Sequence, residues 1–278
     1  MTTPMVIAQI SDMHIREEGR LAYRRVDTST FFARCVEQVV QTTPRPDLVL
    51  ATGDLVDAGA PAEYRRLRQL LAPLPMPVYL IPGNHDNRDA MRAEFADHTY
   101  LPQNGGFLHY IIDGHPARLI ALDTLVPGHD GGLMCAKRLA WLEARLAEAP
   151  GRPAVIFMHH PPFATGIQHM DRIGLDGADR MADIVLRYPN VERVLCGHLH
   201  RSIEARWAGT LARTAPSTAH QVTLDLRDDA PSSFMMEPPA FLLHIWQEGV
   251  GVVTHTSYVG DFPGPYRFRD QERHPVAT

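Results

Sequence analysis

Five short clusters in the chain carry residues whose side chains bind metal ions: Asp12-Met13-His14, Gly53-Asp54, Gly83-Asn84-His85-Asp86, His159-His160 and Gly197-His198-Leu199-His200. Asp, Asn and His are hard-to-borderline donors, a set that suits Fe, Mn, Zn or Co better than copper or calcium. In an extended chain residues i and i+2 point to one side, so Asp12 with His14, and His198 with His200, can each aim two donors at one place. Asp12, His14, Asp54, Asn84, His159, His198 and His200 together offer more donors than one tetrahedral zinc accepts. Shared by two ions, with Asp54 bridging, they leave open positions on each. Two divalent ions outweigh the two carboxylates, so the site stays positive, favours an anionic substrate and stabilises charge that develops at phosphorus. A water bridging such ions can be hydroxide near neutral pH, because metal binding lowers its pKa from about 15.7 toward roughly 7. No Ser or Cys nucleophile is then required. His85 sits beside a ligand and is not needed for coordination, which makes it the candidate to stabilise or protonate a leaving alkoxide, with Asp86 orienting it.

Each cluster follows an apolar run that reads as a buried β-strand: Val6 to Ile10, Leu48 to Ala51, Val78 to Ile81, Ala154 to Phe157 and Val191 to Leu195. Ligands at the ends of several strands are expected to converge on one edge of a sheet, where α/β proteins place their chemistry. The glycines before Asp54, Asn84 and His198 would allow a sharp exit from each strand. Between the strands, helical spacing of apolar residues marks Phe31 to Val40, Pro61 to Leu71, Lys137 to Glu148 and Gly177 to Tyr188. Alternating strands and helices over the first two-thirds point to a layered α/β domain. Phe107 to Ile112 and Leu119 to Leu122 are further strand-like runs without such a cluster. After His200 short alternating segments at 210–214, 221–224, 240–246 and 250–256 suggest a second, mostly antiparallel sheet. Residues 225–239 are polar and Pro-rich and read as a surface excursion.

Bulk composition excludes several classes. With 45% hydrophobic and 21% charged residues the chain is neither disordered nor a membrane protein in character. No apolar stretch approaches the roughly 20 residues of a spanning helix. The start, Met1-Thr2-Thr3-Pro4, has no basic region and leads straight into the first strand-like run, so a cytoplasmic protein is expected. A net charge of −5 argues against a general nucleic-acid surface, and the arginine-rich stretch 64–68 reads as the solvated face of a helix. Cys35, Cys135 and Cys196 form no disulfide framework; Cys196 reads as a buried strand residue. By spacing alone His160 supports the ligands from behind without binding metal, His220 is a surface histidine, and His169 and Asp171 belong to a loop.

In their order the five clusters resemble the motifs of the calcineurin-like metallophosphoesterases, over residues 5 to 200. Within that superfamily the chain is similar to the bacterial class III phosphodiesterases, the glycerophosphodiesterases first and the cyclic-nucleotide phosphodiesterases next. Supporting stretches are Leu80 to Asp86, Ile156 to Pro162 and Ala219-His220-Gln221-Val222. The resemblance implies a four-layer α-β-β-α sandwich, two stacked β-sheets flanked by helices, with a catalytic domain over 1–258. The tail, 259–278, is then a small extension expected to act as an oligomerisation or capping arm, and a homo-oligomer is expected with it. It also implies one ion held by Asp12, His14, Asp54 and His200, and the other by Asp54, Asn84, His159 and His198. Asn84, His85 and His220 become substrate contacts. The expected activity is hydrolysis of a small phosphodiester by in-line attack of a metal-bound hydroxide, with glycerophosphodiesters first and 3′,5′-cyclic nucleotides second. Fold and ligands do not decide the ester type, so a phosphomonoesterase or nucleotidase is the runner-up. A DNA nuclease is disfavoured by the acidic chain, and a scaffold that has lost its metals by the complete donor set.

Overall fold

The structure, a computed structural model, describes residues 4–268. From the N-terminus the chain forms β1 (Met5–Ile10), α1 (Thr28–Gln41), β2 (Leu48–Thr52), α2 (Pro61–Leu71), β3 (Val78–Ile81) and α3 (Arg88–Glu94). It continues through β4 (Tyr110–Ile112), β5 (Arg118–Leu122), β6 (Gly132–Leu133), α4 (Ala136–Ala147), β7 (Ala154–Met158), α5 (Gln168–Asp171), β8 (Leu175–Asp176) and α6 (Ala178–Val185). Then come β9 (Val191–Cys196), β10 (Glu204–Trp207), β11 (Thr210–Thr214), β12 (Gln221–Val222), β13 (Phe234–Met235), β14 (Ala240–Gln247) and β15 (Gly251–Tyr258).

Strands buried on both faces read as unbroken apolar runs, and β1, β2, β5 and β7 are buried at every position. They form the centres of two sheets, ordered β15-β14-β1-β2-β3 and β10-β11-β9-β7-β5-β4. Inside each sheet the central pairs are parallel: β1 with β2, β2 with β3, β5 with β7, β7 with β9 and β9 with β11. The sheets stack with β2 against β7 and β15 against β9, and one continuous apolar core runs through both. Helices α1, α2 and α3 pack side by side over the crossovers of the first sheet, while α4 packs on β5 and α6. This is the four-layer α-β-β-α arrangement. Asp27 caps α1 by accepting from Thr30 N at 3.1 Å, and Phe32, Cys35, Val36 and Val39 form its buried stripe.

Two expectations change, and one helix, α3, is added that no apolar spacing marked. The segments after His200 do not build a separate antiparallel sheet. β11 lies parallel to β9 in the second sheet, whereas β14 pairs antiparallel with β1 and β15 antiparallel with β14 to complete the first. Residues 225–239 are not wholly an excursion, since β13 returns to pair with β12 as a short hairpin. Helix α3 shows no apolar periodicity because only Met91 is buried in it; its start is set instead by Asn87, whose side chain accepts from Asp89 N and Ala90 N. The tail assigned to 259–278 enters the described residues only through 268. There Val259 is buried and Phe262, Tyr266 and Phe268 are exposed; the rest of that assignment lies outside the described residues. No described helix is long and apolar enough to cross a membrane.

Candidate active site

Strands β1, β2, β3, β7 and β9 each end one to three residues before a cluster of donors. The first sheet supplies Asp12, His14, Asp54 and Asn84; the second supplies His159, His198 and His200. The donors therefore meet between the facing ends of two stacked sheets, not along the edge of one. Asp12, His14, Asp54, His198 and His200 all have positive φ, from 45° to 70°. Such conformations are costly for residues with a Cβ and persist where the surroundings over-determine them. Here cross-links supply that determination: Asp12 N donates to Gly53 O at 3.1 Å, His14 N to Asp54 O at 2.9 Å, and His198 N to Asp12 Oδ1 at 3.0 Å. Of the three glycines expected to ease the strand exits, only Gly53 does so by conformation, at φ +87°. Gly83 and Gly197 are needed for close approach: a Cβ would collide with the Asp54 carboxylate at the one and with Ser11 Oγ at the other.

Every ligand histidine has one ring nitrogen committed to a fixed acceptor, which orients the other inward. His14 Nδ1 donates to Asp57 Oδ1 at 3.3 Å, His159 Nδ1 to Thr52 O at 2.8 Å, and His200 Nδ1 to His220 O at 3.0 Å. His198 is reversed, its Nε2 donating to Ile173 O at 3.0 Å. The remaining atoms converge. His14 Nε2 and His200 Nε2 are 3.1 Å apart, and Asn84 Oδ1 lies 3.1 Å from both His159 Nε2 and His198 Nδ1. Asp54 Oδ2 lies between the groups, 3.6 Å from His14 Nε2 and 3.3 Å from His159 Nε2. A spacing near 3 Å is what two donors on one ion with bonds of about 2.1 Å would show.

The electrostatics ask for cations. Burial, with Asp54 adding to it, pushes the Asp12 carboxyl up to about 6, and its Oδ2 is enclosed without a hydrogen-bond partner. Burial also acts to raise Asp54, but His159, His85 and His14 outweigh it and hold this carboxylate well below its usual range. Burial lowers His159, yet Asp54 and then Asp12 reverse this and raise it to about 9. His198 is pushed down to about 3 by burial and by His159, and His200 falls well below the ordinary range by burial and by His14. His198 and His200 are thus neutral, the form that binds metal, and Asp12 offers an unpaired carboxylate oxygen. Against burial, the surrounding carboxylates favour the protonated forms of His14 and His159, whose protons a bound ion would displace. Asp12, His14, Asp54 and His200 lie close enough together to hold an ion. The residues fit a metal centre.

The family model for calcineurin-like phosphoesterases matches residues 5–202. The chain belongs to the calcineurin-like phosphoesterases. A relative from Arcobacter nitrofigilis named "Probable glycerophosphodiester phosphodiesterase GpdQ" is 41% identical over 269 residues, covering 96% of this chain and 98% of the relative. The 3′,5′-cyclic adenosine monophosphate phosphodiesterase CpdA of Escherichia coli is 30% identical over 215 residues, covering 77% of this chain and 76% of the relative. Among solved structures, a dimetal phosphatase from Danio rerio shares the fold with a TM-score of 0.59 at 15% identity, over 93% of this chain and all of that one.

In this calcineurin-like phosphoesterase the remaining candidates divide. His85 lines the cavity above the donors; its Nδ1 donates to Asp57 O at 2.7 Å, which leaves Nε2 free. Asp86 does not orient it. Its carboxylate turns away to accept from Gly83 N at 2.8 Å, Leu55 N at 3.0 Å and Tyr64 Oη at 2.8 Å, so it braces the loop that carries Asn84 and His85 and has no catalytic contact. Both nitrogens of His160 are engaged, Nδ1 accepting from Thr124 Oγ1 at 2.8 Å and Nε2 donating to Asp130 O at 3.0 Å. His220 is not a surface residue: it is 1% exposed, lines the cavity, and has an enclosed Nδ1 without a partner.

Sequence reasoning missed Asp57, which holds His14 through its side chain and His85 through its carbonyl. Burial acts to raise its carboxyl, but the His14 hydrogen bond and the charges of His14, His85 and Arg16 outweigh it and hold it low. A second acid three residues after Asp54 was the available signal. Missed too was the rim of the cavity of about 520 Å³, which includes Tyr23, Asp130, His169 and Phe234. Tyr23 sits in a tight turn where both it and Arg24 have positive φ, and its ring packs 5.1 Å from Phe234 and 5.2 Å from His220. No spacing rule connects those positions.

Proposed function

We propose that this chain is a phosphodiesterase that hydrolyses small phosphodiesters, glycerophosphodiesters foremost, with two metal ions as cofactors. The observation that carries the reading is the arrangement of seven donors in two groups with Asp54 Oδ2 between them. Asp12, His14, Asp54 and His200 would hold one ion, and Asp54, Asn84, His159 and His198 the other. Bound there, the ions would supply an activated water near neutral pH and positive charge to offset the phosphate.

The side chains around them have separable tasks. Asp57 holds the His14 ring with its carboxylate and the His85 ring with its carbonyl, so one residue sets the angle between a ligand and the proposed acid. With Nδ1 committed, Nε2 is the atom on which His85 can carry a proton toward the departing alcohol. His220 offers its unpartnered Nδ1 to a substrate oxygen. Tyr23 and Phe234 wall the cavity and limit the shape of the alcohol.

A glycerophosphodiester is favoured by the 41% identical relative, which the chain matches almost end to end. A 3′,5′-cyclic nucleotide is the second reading, supported by the Escherichia coli relative over a smaller share of the chain. One preparation, stripped and reloaded with Mn, Zn, Co or Fe, should be assayed on glycerophosphodiesters, cyclic nucleotides and phosphomonoesters. The highest kcat/KM is expected on a glycerophosphodiester; a monoester cleaved better than its matched diester would refute the phosphodiesterase reading.

A further inference from the structure

Beneath the donors lies a buried polar network that the proposed chemistry does not use. Gln9 of β1 and His244 of β14, on neighbouring strands, are both 0% exposed. Gln9 Nε2 donates to the Cys196 carbonyl at 2.9 Å and to Thr52 Oγ1 at 3.0 Å. A carbonyl only accepts, so that end of the amide is the NH2 group, and Gln9 Oε1 is left to accept from His244 Nε2 at 2.9 Å. His244 Nδ1 then accepts from the Thr254 hydroxyl at 2.8 Å. The network selects one neutral tautomer of His244. Burial, with Arg213 and Arg193 nearby, pushes this imidazole down to about 3 and preserves that form.

Gln9 and the two residues to which its NH2 group donates, Thr52 and Cys196, each sit just before a metal donor in the chain. Gln9 itself precedes Asp12 on the same strand end. Thr52 precedes Asp54, and its carbonyl accepts the Nδ1 proton of His159 at 2.8 Å. Cys196 precedes Gly197 and His198. One side chain thus joins β1 and β2 of the first sheet to β9 of the second, one layer below the donors that the two sheets contribute. We propose that Gln9, held in orientation by His244, is a positioning residue that fixes the gap between the sheets and thereby the spacing of the two donor groups. The inference rests on the metal-centre reading above. Stability alone gives little reason for such a network: apolar side chains of similar size, introduced together, often replace a buried polar network without loss. Removing one partner, by contrast, leaves the other unsatisfied.

That asymmetry supplies the test. The full-length wild type, the double variant Gln9→Leu/His244→Leu, and the single variants His244→Leu and His244→Gln should be compared by thermal unfolding, by calorimetric titration of the metal-free protein with Mn(II), and by kcat and KM on an aryl phosphodiester at saturating Mn(II). The double variant is expected to unfold within a few degrees of wild type, while its Mn(II) affinity falls about 10–100-fold and kcat falls with KM nearly unchanged. His244→Gln, which can still donate to Gln9 Oε1, is expected to restore both, and His244→Leu is not. Wild-type Mn(II) affinity and kcat in the double variant would overturn the proposal. So would losses in His244→Gln equal to those in His244→Leu, a comparison that decides the matter even if the double variant does not fold. The Mn(II) titration needs no turnover, so it tests the positioning role separately from the choice of substrate.

Discussion

At the floor of the cavity nearly every polar atom is assigned. Each ligand ring has one nitrogen held by a carbonyl or carboxylate and one turned inward, and five donors keep a strained backbone because neighbouring strands hold it there. The mouth is different. Its wall is one tight turn carrying Tyr23 and one short hairpin carrying Phe234, and neither ring nitrogen of His169 has a hydrogen-bond partner. A floor with its donors pre-oriented fixes which reaction can occur, since catalysis depends on groups aimed before substrate arrives. A mouth with unclaimed donors and aromatic faces leaves the identity of the ester to be decided by contacts made only in the complex. Substitutions on the floor should therefore abolish chemistry, and substitutions at the mouth should redirect it.

The strongest test of the floor is Asp54→Ala. Because Asp54 Oδ2 lies near donors of both groups, the variant is expected to lose metal from both positions and to show only background turnover. Elemental analysis of the purified variant checks this, and retention of both ions would remove the bridging role. Next in size is His85→Ala, which takes away the proposed proton carrier while leaving all seven donors. It is expected to keep most of its metal and to lose on the order of 10²-fold in kcat on a diester with a poor leaving group. Unchanged turnover on that substrate would show that the departing alcohol takes its proton elsewhere.

The same division explains what could be read from the residues alone. The floor was legible because buried parallel strands are uninterrupted apolar runs, and because donors must follow such strands directly to reach a common point. Even so, reading along the chain assigned Asp86 to its neighbour His85, when the turn sends its carboxylate back to Gly83, Leu55 and Tyr64. Adjacency in sequence does not give direction after a tight turn. The glycines at 83 and 197 were legible as necessary but for another reason, since crowding by Asp54 and Ser11 is invisible until the sheets are stacked. Of the mouth only His220 and the strand segment after it were legible, the first through the family resemblance; its aromatic wall was not. Tyr23 and Phe234 come from opposite ends of the chain, and a two-residue strand such as β13 carries no periodic signal.

At the mouth the expected effect is smaller and different in kind. Phe234→Ala removes a face packed 5.0 Å from His220 and 5.1 Å from Tyr23 without touching a donor. Metal content should stay at the wild-type level, and the ratio of kcat/KM between a glycerophosphodiester and a cyclic nucleotide should shift by about tenfold or less. An equal fall on both substrates, or loss of metal, would mean that the hairpin supports the floor and that the two regions are not independent.

The smallest effect on turnover is expected at His109, which belongs to neither region. Its Nδ1 accepts from Asp123 N at 3.0 Å, and its ring stacks on Trp141 with centroids 4.8 Å apart. Burial, helped by Arg138 and Arg88 against the opposing charge of Asp123, lowers this imidazole to about 4 from its ordinary 6.5. Between those values the unfolded chain binds a proton that the folded chain refuses. Stability is therefore lost as the pH falls from about 6.5 to about 4, and the loss is complete below that, at roughly 3 kcal/mol in full. His109→Asn keeps an acceptor for Asp123 N but cannot take up a proton. Urea unfolding at pH 7.5 and pH 4.5 should show a smaller drop in the variant than in wild type, with kcat at pH 7.5 unchanged. Titration of the floor histidines occurs in both proteins and cancels in the difference. Equal drops would mean that His109 charges as easily folded as unfolded. A fall in kcat would mean that the strand end at Asp123 and Thr124, which reaches His160, belongs to the floor after all.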